Sequence, residues 1–307
     1  MDNPATYPSV TQAHGLSSQG GLQLTDAPLR LGPSPGRGLV FVGQLPPGLL
    51  RGKHLLCSQD LVPVLGVIGG RALALPWYKP IRVGKLALRL WPAGAGPGSS
   101  VLQVQTPHGT LVDARFATVT PLPGCAPIQF PDSCDILLVD ATHAARTWAT
   151  DTETKDFLNH LSTAGSQTEP VTVRIDDPLI ALSMLELLKE QIDFTVSPRL
   201  ARLDRRYAAT GWPQASPRRQ ATVHLQWSDP APAEANATVT AAADPKNPFA
   251  LAWDSVADGP GLRALIAQCK PKYVVAVGDG APVFCSQLRS SGYDATALTA
   301  QAQLPLV

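Results

Sequence analysis

The alternation of apolar and polar positions divides the chain into two styles of folding. From Gly21 to about Asp140, short apolar runs are separated by Gly/Pro turns; Leu39–Val42, Leu86–Leu90, Val101–Val104, Gly109–Val112 and Ile136–Val139 are the clearest. Leu86-Ala87-Leu88-Arg89-Leu90 alternates with period two, the pattern of a strand with one buried face. No G-x-G-x-x-G or Walker loop follows any of these runs, so the pattern predicts sheet-rich packing rather than a Rossmann start. After Asp140 the period lengthens. Thr150-Asp151-Thr152-Glu153 spells a capping box, and Phe157, Leu158 and Leu161 follow at helical spacing. The pattern then predicts a strand at Val171–Ile175, a helix from Leu179 to about Ile192, a short strand at Phe194–Val196 and a helix over Arg199–Ala209. Alternating strand and helix imply a small α/β unit with a parallel sheet. Residues 214–248 are rich in Pro, Ala, Thr and Asn, with one predicted strand at Ala221–Gln226. A helix at Pro260–Cys269, a strand at Tyr273–Val277 and a helix near Ala281–Ser291 complete the pattern. Residues 1–20, polar and Gly/Ser-rich, read as a flexible tail.

Composition narrows the function classes. The 307 residues are 44% hydrophobic and 16% charged, enough to bury one large core or two moderate ones. A net charge of +1 excludes a whole-molecule electrostatic footprint for nucleic acid, so any such surface is local. No apolar run reaches the roughly 18 residues of a membrane span. The start, Met1-Asp2-Asn3-Pro4, lacks a basic segment followed by an apolar one, so no secretory signal and a cytoplasmic location are expected. The five cysteines are odd in number and scattered, as reduced thiols would be. Cys125 and Cys134 are spaced like half a zinc site, but no second pair exists.

Three segments carry a resemblance. These are Trp91-Pro92-Ala93-Gly94-Ala95-Gly96-Pro97-Gly98-Ser99-Ser100; Gly124-Cys125-Ala126-Pro127 with Leu138-Val139-Asp140-Ala141-Thr142; and Ser255-Val256-Ala257-Asp258-Gly259-Pro260-Gly261-Leu262. In order and spacing they are similar to the H-P-A-G-H-x-x-G-S-A, D-P-T-C-A-P … E-S-T and D-H-A-D-W-P-G-L motifs of the metallo-β-lactamase/β-CASP superfamily. Within it, the chain resembles the bacterial DNA-ligase-associated, mRNA 3′-end-processing-factor-like exonucleases. The resemblance implies an α/β fold: an αββα metallo-β-lactamase-like sandwich from residues 21–140 and 250–307, with a β-CASP-like α/β insertion over 141–249.

Such nucleases hold two metal ions with imidazoles and carboxylates, which activate a water and stabilise charge on a phosphate. On the resemblance, the three histidines of the first loop fall at Gly43, Leu45 and Gly48, and its aspartate at Pro47. The next histidine falls at Ala95, and the bridging aspartate near Phe116, with Asp113 close by. The β-CASP acid falls at Asp140 and is kept. The later histidine pair falls at Val256 and Asp279, and Asp258 is an acid of the surrounding frame. Side chains of Gly, Leu, Pro, Ala, Phe and Val cannot ligate a metal. The resemblance therefore implies no catalytic residues, no metal and no cofactor, a pseudoenzyme rather than a nuclease.

Other chemistry is sparse. Of the six histidines none stands two or four residues from another, and His143, three residues after Asp140, is the best placed. Gly32-Pro33-Ser34-Pro35-Gly36 spells G-x-S-x-G but lacks the strand before and helix after that a nucleophile elbow requires. Gly278-Asp279-Gly280 reads as a strand-to-helix turn. Arg199, Arg202, Arg205, Arg206, Arg218 and Arg219 cluster near Tyr207 and Trp212. They suit phosphates and bases, or a protein partner, or are a solvated helix face partly compensated by Asp204. Trp77-Tyr78 and Trp91 read as core or cleft-lining aromatics. The leading expectation is a structural or regulatory subunit in nucleic-acid processing (DNA repair or RNA), paired with a protein, an active homologue among the candidates. The alternatives are a nucleic-acid-binding module using the arginines, and a hydrolase rebuilt around Asp140, His143, Asp258 and Asp279.

Overall fold

Nine strands open the fold: β1 (Leu16–Ser17), β2 (Gln23–Leu24), β3 (Leu29–Leu31), β4 (Leu39–Phe41), β5 (Leu50–Arg51), β6 (His54–Ser58), β7 (Val67–Ile68), β8 (Arg71–Leu75) and β9 (Ile81–Val83). The structure, a computed structural model, describes residues 16–17, 22–24, 29–32, 38–46, 50–51, 54–65, 67–68, 71–165, 171–212, 214, 221–227, 237–240 and 249–298. Pro47, Gly48, Ser34, His14, Arg218 and Arg219 lie outside the described residues, as do most of 1–20 and 214–248.

The first sheet runs β1-β2-β3-β4-β6-β8. Its first three strands are antiparallel, while β3, β4, β6 and β8 are parallel neighbours. Parallel neighbours are usually joined by a helical crossover. Here β5 and β7 lie in the connections and pair with each other in parallel. Leu16–Ser17, inside the stretch read as a tail, pairs with Gln23–Leu24.

The second sheet is larger. It comprises β10 (Leu86–Pro92), β11 (Ser100–Thr106), β12 (Gly109–Asp113), β13 (Ile136–Asp140), and from the far end of the chain β19 (Tyr273–Val277) and β20 (Ala295–Leu298), in the order β20-β19-β13-β12-β11-β10-β9. β9 to β12 form an antiparallel meander, and β12, β13, β19 and β20 are parallel. Strict alternation gives this sheet two buried faces. Leu88, Leu90, Leu102, Leu111 and Leu138 meet Phe41, Leu56 and Leu75 of the first sheet. Val101, Val112, Leu137, Val139 and Val274 face helices α4 (Gly259–Cys269) and α5 (Ala281–Ser290).

Between Asp140 and Gly259 lies the predicted α/β unit. It contains α1 (Asp151–Gly165), β14 (Val171–Ile175), α2 (Pro178–Leu188), β15 (Phe194–Val196), α3 (Pro198–Ala208), β16 (Val223–Trp227), β17 (Ala237–Val239) and β18 (Ala250–Leu251). Its sheet, β15-β16-β14-β17-β18, is wholly parallel. Local chemistry starts each helix. Thr150 Oγ1 and Glu153 form the reciprocal capping box, with Thr150 N–H donating to Glu153 Oε2 at 2.7 Å. Asp177 Oδ1 accepts from Leu179 N–H at 2.7 Å and Ile180 N–H at 3.0 Å, with Pro178 at the first helical position. Ser197 caps α3. Helix α2 ends at Leu188, short of the predicted Ile192, and Gln191 and Ile192 donate back to the Leu188 carbonyl in a closing turn.

The chain is thus an α/β protein. Among the described residues every helix lies after residue 150. The outer face of the first sheet is covered from the α/β unit: Val40, Val42, Leu55 and Cys57 join one buried cluster with Leu161 of α1 and Leu179 and Leu182 of α2. No helix among the described residues is long and apolar enough to cross a membrane.

Candidate functional site

The carboxyl ends of β4, β12, β13 and β19 point toward the same end of the two sheets, the end where open α/β sheets place ligands. Asp113 pairs in register with Leu138, and Asp140 with Val277. Gly43 follows β4 and accepts a hydrogen bond on its carbonyl from Ser100 N–H at 2.7 Å, which ties the two sheets. A Cβ at Gly43 would lie 2.3 Å from Cδ2 of Phe116. The Phe116 ring therefore occupies the space into which a side chain at position 43 would project. Two positions far apart in sequence, both read as former ligand sites, are in contact.

Beside that ring sits the strongest charge arrangement of the region. Arg115 donates from Nε to Asp113 Oδ1 at 2.9 Å and from Nη2 to Oδ2 at 2.8 Å, a two-pronged pair on a carboxylate with no solvent exposure. Its guanidinium carbon lies 5.3 Å from the centroid of the Phe116 ring. Burial pulls the Arg115 pKa down, but the Asp113 carboxylate, through charge and hydrogen bonding, and then Asp140 push it up, and the net shift is upward. The cation here is an arginine belonging to the chain. Sequence reasoning named Asp113 and Phe116 and missed Arg115 between them; an Asp-x-Arg spelling at the end of a strand was the available signal.

Each remaining expected residue has a separate local role. Asp140 Oδ1 accepts from Thr142 N–H at 2.8 Å and Thr142 Oγ1–H at 2.6 Å. Gly278, at φ +90°, packs directly on this turn: a Cβ there would lie 2.3 Å from Thr142 Oγ1 and 2.8 Å from Asp140 Oδ1. Ala95 is fully buried in the Ala93–Ser99 loop, and Leu45 packs against the cluster shared with the α/β unit. Val256 offers its carbonyl to Trp148 Nε1–H at 2.8 Å. Asp258 caps α4 through Gly261 N–H at 2.8 Å and holds Trp148 N–H at 2.9 Å, so it acts in the frame. Asp279 is exposed at the tip of its turn. His143 Nε2 lies 3.3 Å from Asp254 Oδ2 and edge-on to Trp148. Asp140, His143 and Asp258 are thus engaged with different neighbours, and Asp279 stands apart at the surface. Among the described residues no group of three or more His, Cys, Asp or Glu is placed to hold a metal.

Near His143 lies a half-buried carboxylate the sequence did not flag. Asp177 Oδ2 accepts from Ser255 Oγ–H at 2.9 Å while Oδ1 caps α2, joining the α/β unit to the segment before α4. Burial is the main cause that holds its pKa above the ordinary carboxylate value, with the nearby Asp254 adding to it.

The arginine cluster is divided. Arg199 lies 4.0 Å above the Trp227 ring, and Arg202, Arg205 and Arg206 are exposed. Asp204, read as partly compensating the arginines, is 5% exposed, and Tyr207 and Trp212 are buried. Helical periodicity explains Asp204 and Tyr207: with Leu200 and Leu203 they form the inner stripe of α3. The five cysteines are free. Burial pushes the Cys57 and Cys125 thiols up to about 12 and Cys285 to about 11, so they stay protonated and unreactive at neutral pH.

No family model matches the chain, and no curated protein matches it. A crystal structure described as a protein of unknown function from Enterococcus faecalis V583 is similar in fold, with a TM-score of 0.52 over 80% of this chain and 77% of that chain, at 11% sequence identity. That likeness concerns the fold alone. The chain is an α/β protein whose convergent strand ends are filled by Phe116 and the Arg115–Asp113 pair.

Proposed function

We propose that the chain is a catalytically inactive relative of the metallo-β-lactamase/β-CASP nucleases, an αββα-type body with a β-CASP-like insertion, that serves as a structural or regulatory subunit. One observation carries the reading: the Phe116 ring fills the space above Gly43, and Arg115 neutralises Asp113 where a nuclease of that family would need an open, anionic cavity. A guanidinium and a metal ion compete for the same carboxylate, and here the arginine engages both oxygens of a buried acid and supplies its countercharge. The protein partner, an active homologue among the candidates, would supply any chemistry in nucleic-acid processing. Metal analysis of dialysed protein after incubation with Zn²⁺ or Mn²⁺ tests the first half; we expect well under one ion per chain, and a stoichiometric pair overturns the reading. Phosphodiesterase activity abolished by Asp140→Ala would favour the rebuilt-site alternative instead. Affinity purification with quantitative mass spectrometry tests the second half, through a stoichiometric partner.

A second reading rests on Arg202, Arg205 and Arg206, three exposed cations on one short helix. It makes the chain a nucleic-acid-binding module. Binding to a single-stranded oligonucleotide that weakens with salt, and weakens again in Arg202→Ala/Arg206→Ala, would support it.

A further inference from the structure

A cavity of about 380 Å³ is lined by residues of the Gly94–Ser99 loop, and Gly43, Asp113, Arg115 and Phe116 are not part of its walls. That volume falls within the range of small-molecule sites. Its walls include Asp60, Trp77, Tyr78, Cys125 and Trp212, and among the described residues no basic side chain lines it. Among them Asp60 is the charged residue of the lining, set among aromatic rings.

Three features show how this cavity is built. Trp77 donates from Nε1 to Asp60 Oδ2 at 3.0 Å, which fixes both the ring and the carboxylate. Tyr78 is held at φ +64°, a region bulky residues rarely adopt, by Tyr78 N–H donating to the Leu90 carbonyl at 3.0 Å. Its ring, 45% exposed at the rim, stands edge-on to Trp91 with centroids 5.7 Å apart. Strain of this kind persists where the surroundings enforce it, often at ligand sites. Trp212 is 9% exposed, and its indole N–H finds no acceptor. A buried indole usually has one.

We propose that this cavity binds a small methylated ammonium ion. Asp60 supplies the countercharge, and the rings of Trp77, Tyr78 and Trp212 supply the polarisable walls that such cations prefer. Methylation matters because the ring faces of Trp77, Tyr78 and Trp212 attract a methyl-bearing cation but offer an N–H donor no lone pair. A primary amine would lose hydration without replacement, whereas a methylated one has little to lose.

The test is isothermal titration of the full chain with choline chloride, tetramethylammonium chloride and 3,3-dimethylbutan-1-ol, the uncharged isostere of choline, at one ionic strength. The expected result is saturable one-to-one binding of choline, about tenfold tighter than the isostere. Asp60→Asn keeps an acceptor for Trp77 and should weaken choline about tenfold while leaving the isostere unchanged. Absence of saturable binding by either cation overturns the proposal. So does equal affinity for choline and the isostere, or wild-type choline affinity in an Asp60→Asn protein whose circular dichroism is unchanged.

Discussion

The two-sheet body and the inserted α/β unit solve the same packing problem by different means. In the α/β unit, each helix carries its own start signal next to it in sequence: the Thr150–Glu153 box, Asp177 before Pro178, and Ser197 before Pro198. Its strands alternate with those helices, and its parallel sheet follows from that order. In the body, four parallel strands of the first sheet are neighbours without intervening helices, and their outer face is buried by a domain that enters far later in the chain. The difference teaches that the α/β unit is held by local rules, whereas the body, and the filled site within it, are held by contacts between distant segments. Phe116 against Gly43 and Arg115 on Asp113 belong to the second kind.

That contrast can be broken by mutation. The largest effect is expected at the buried ion pair. Arg115→Ala leaves Asp113 ionised and without its partner, and should cost about 3–5 kcal/mol in urea denaturation. The Asp113→Ala/Arg115→Ala double variant should cost less than Arg115→Ala alone, because no stranded charge remains. A single-variant cost below about 1 kcal/mol would mean the pair is solvated and the site is not filled as described. Next comes overpacking. Gly43→Ala forces its new methyl group into the Phe116 ring and should cost about 1–3 kcal/mol. In a Phe116→Leu background the same change should cost clearly less. Equal costs in both backgrounds would separate the two positions.

Asp177 tests the joint between the two regions. Removal of the cap in Asp177→Ala should cost about 0.5–2 kcal/mol. Asp177→Asn keeps an acceptor for the helix N–H groups and removes the desolvated charge, so it should match or exceed the wild type at pH 7. The sign follows from the raised folded-state pKa. As pH rises past the ordinary value of 3.8, the unfolded chain loses its proton first, and wild-type stability falls until the folded-state pKa is passed. The advantage of Asp177→Asn should therefore be absent at pH 3 and fully developed at neutral pH. A constant difference between the two proteins across that range would show that charge burial at Asp177 does not matter. The smallest effect is expected on the α/β unit's surface: Arg202→Ala/Arg206→Ala should shift stability by no more than about 0.5 kcal/mol, because both side chains are exposed. A larger loss would show that α3 depends on them.

Legibility followed the range of the interactions. The strands β10 to β14 and β19 and all five helices fall where periodicity and caps placed them. The strands His54–Ser58 and Arg71–Leu75 were not anticipated. Their burial does not alternate: four consecutive residues of the first are buried because both of its faces are covered, and the second is largely exposed at the sheet edge. At the site, the absence of metal-ligating side chains at Gly43, Ala95, Phe116 and Val256 could be read residue by residue, because glycine, alanine, phenylalanine and valine have no side-chain donor atoms.

Sequence by itself determined the α/β class, the position of the inserted unit's elements and the absence of side-chain ligands at the inspected positions, since each depends on chemical identity or on spacing of only a few residues. Tertiary structure alone decided that Phe116 lies on Gly43, that Arg115 rather than solvent meets Asp113, that Asp204 turns inward, and that Asp60, Trp77 and Trp212 share one cavity. Those outcomes depend on which strand ends and loops are brought side by side. Burial energy favours many such pairings about equally, and the register of the sheets selects one.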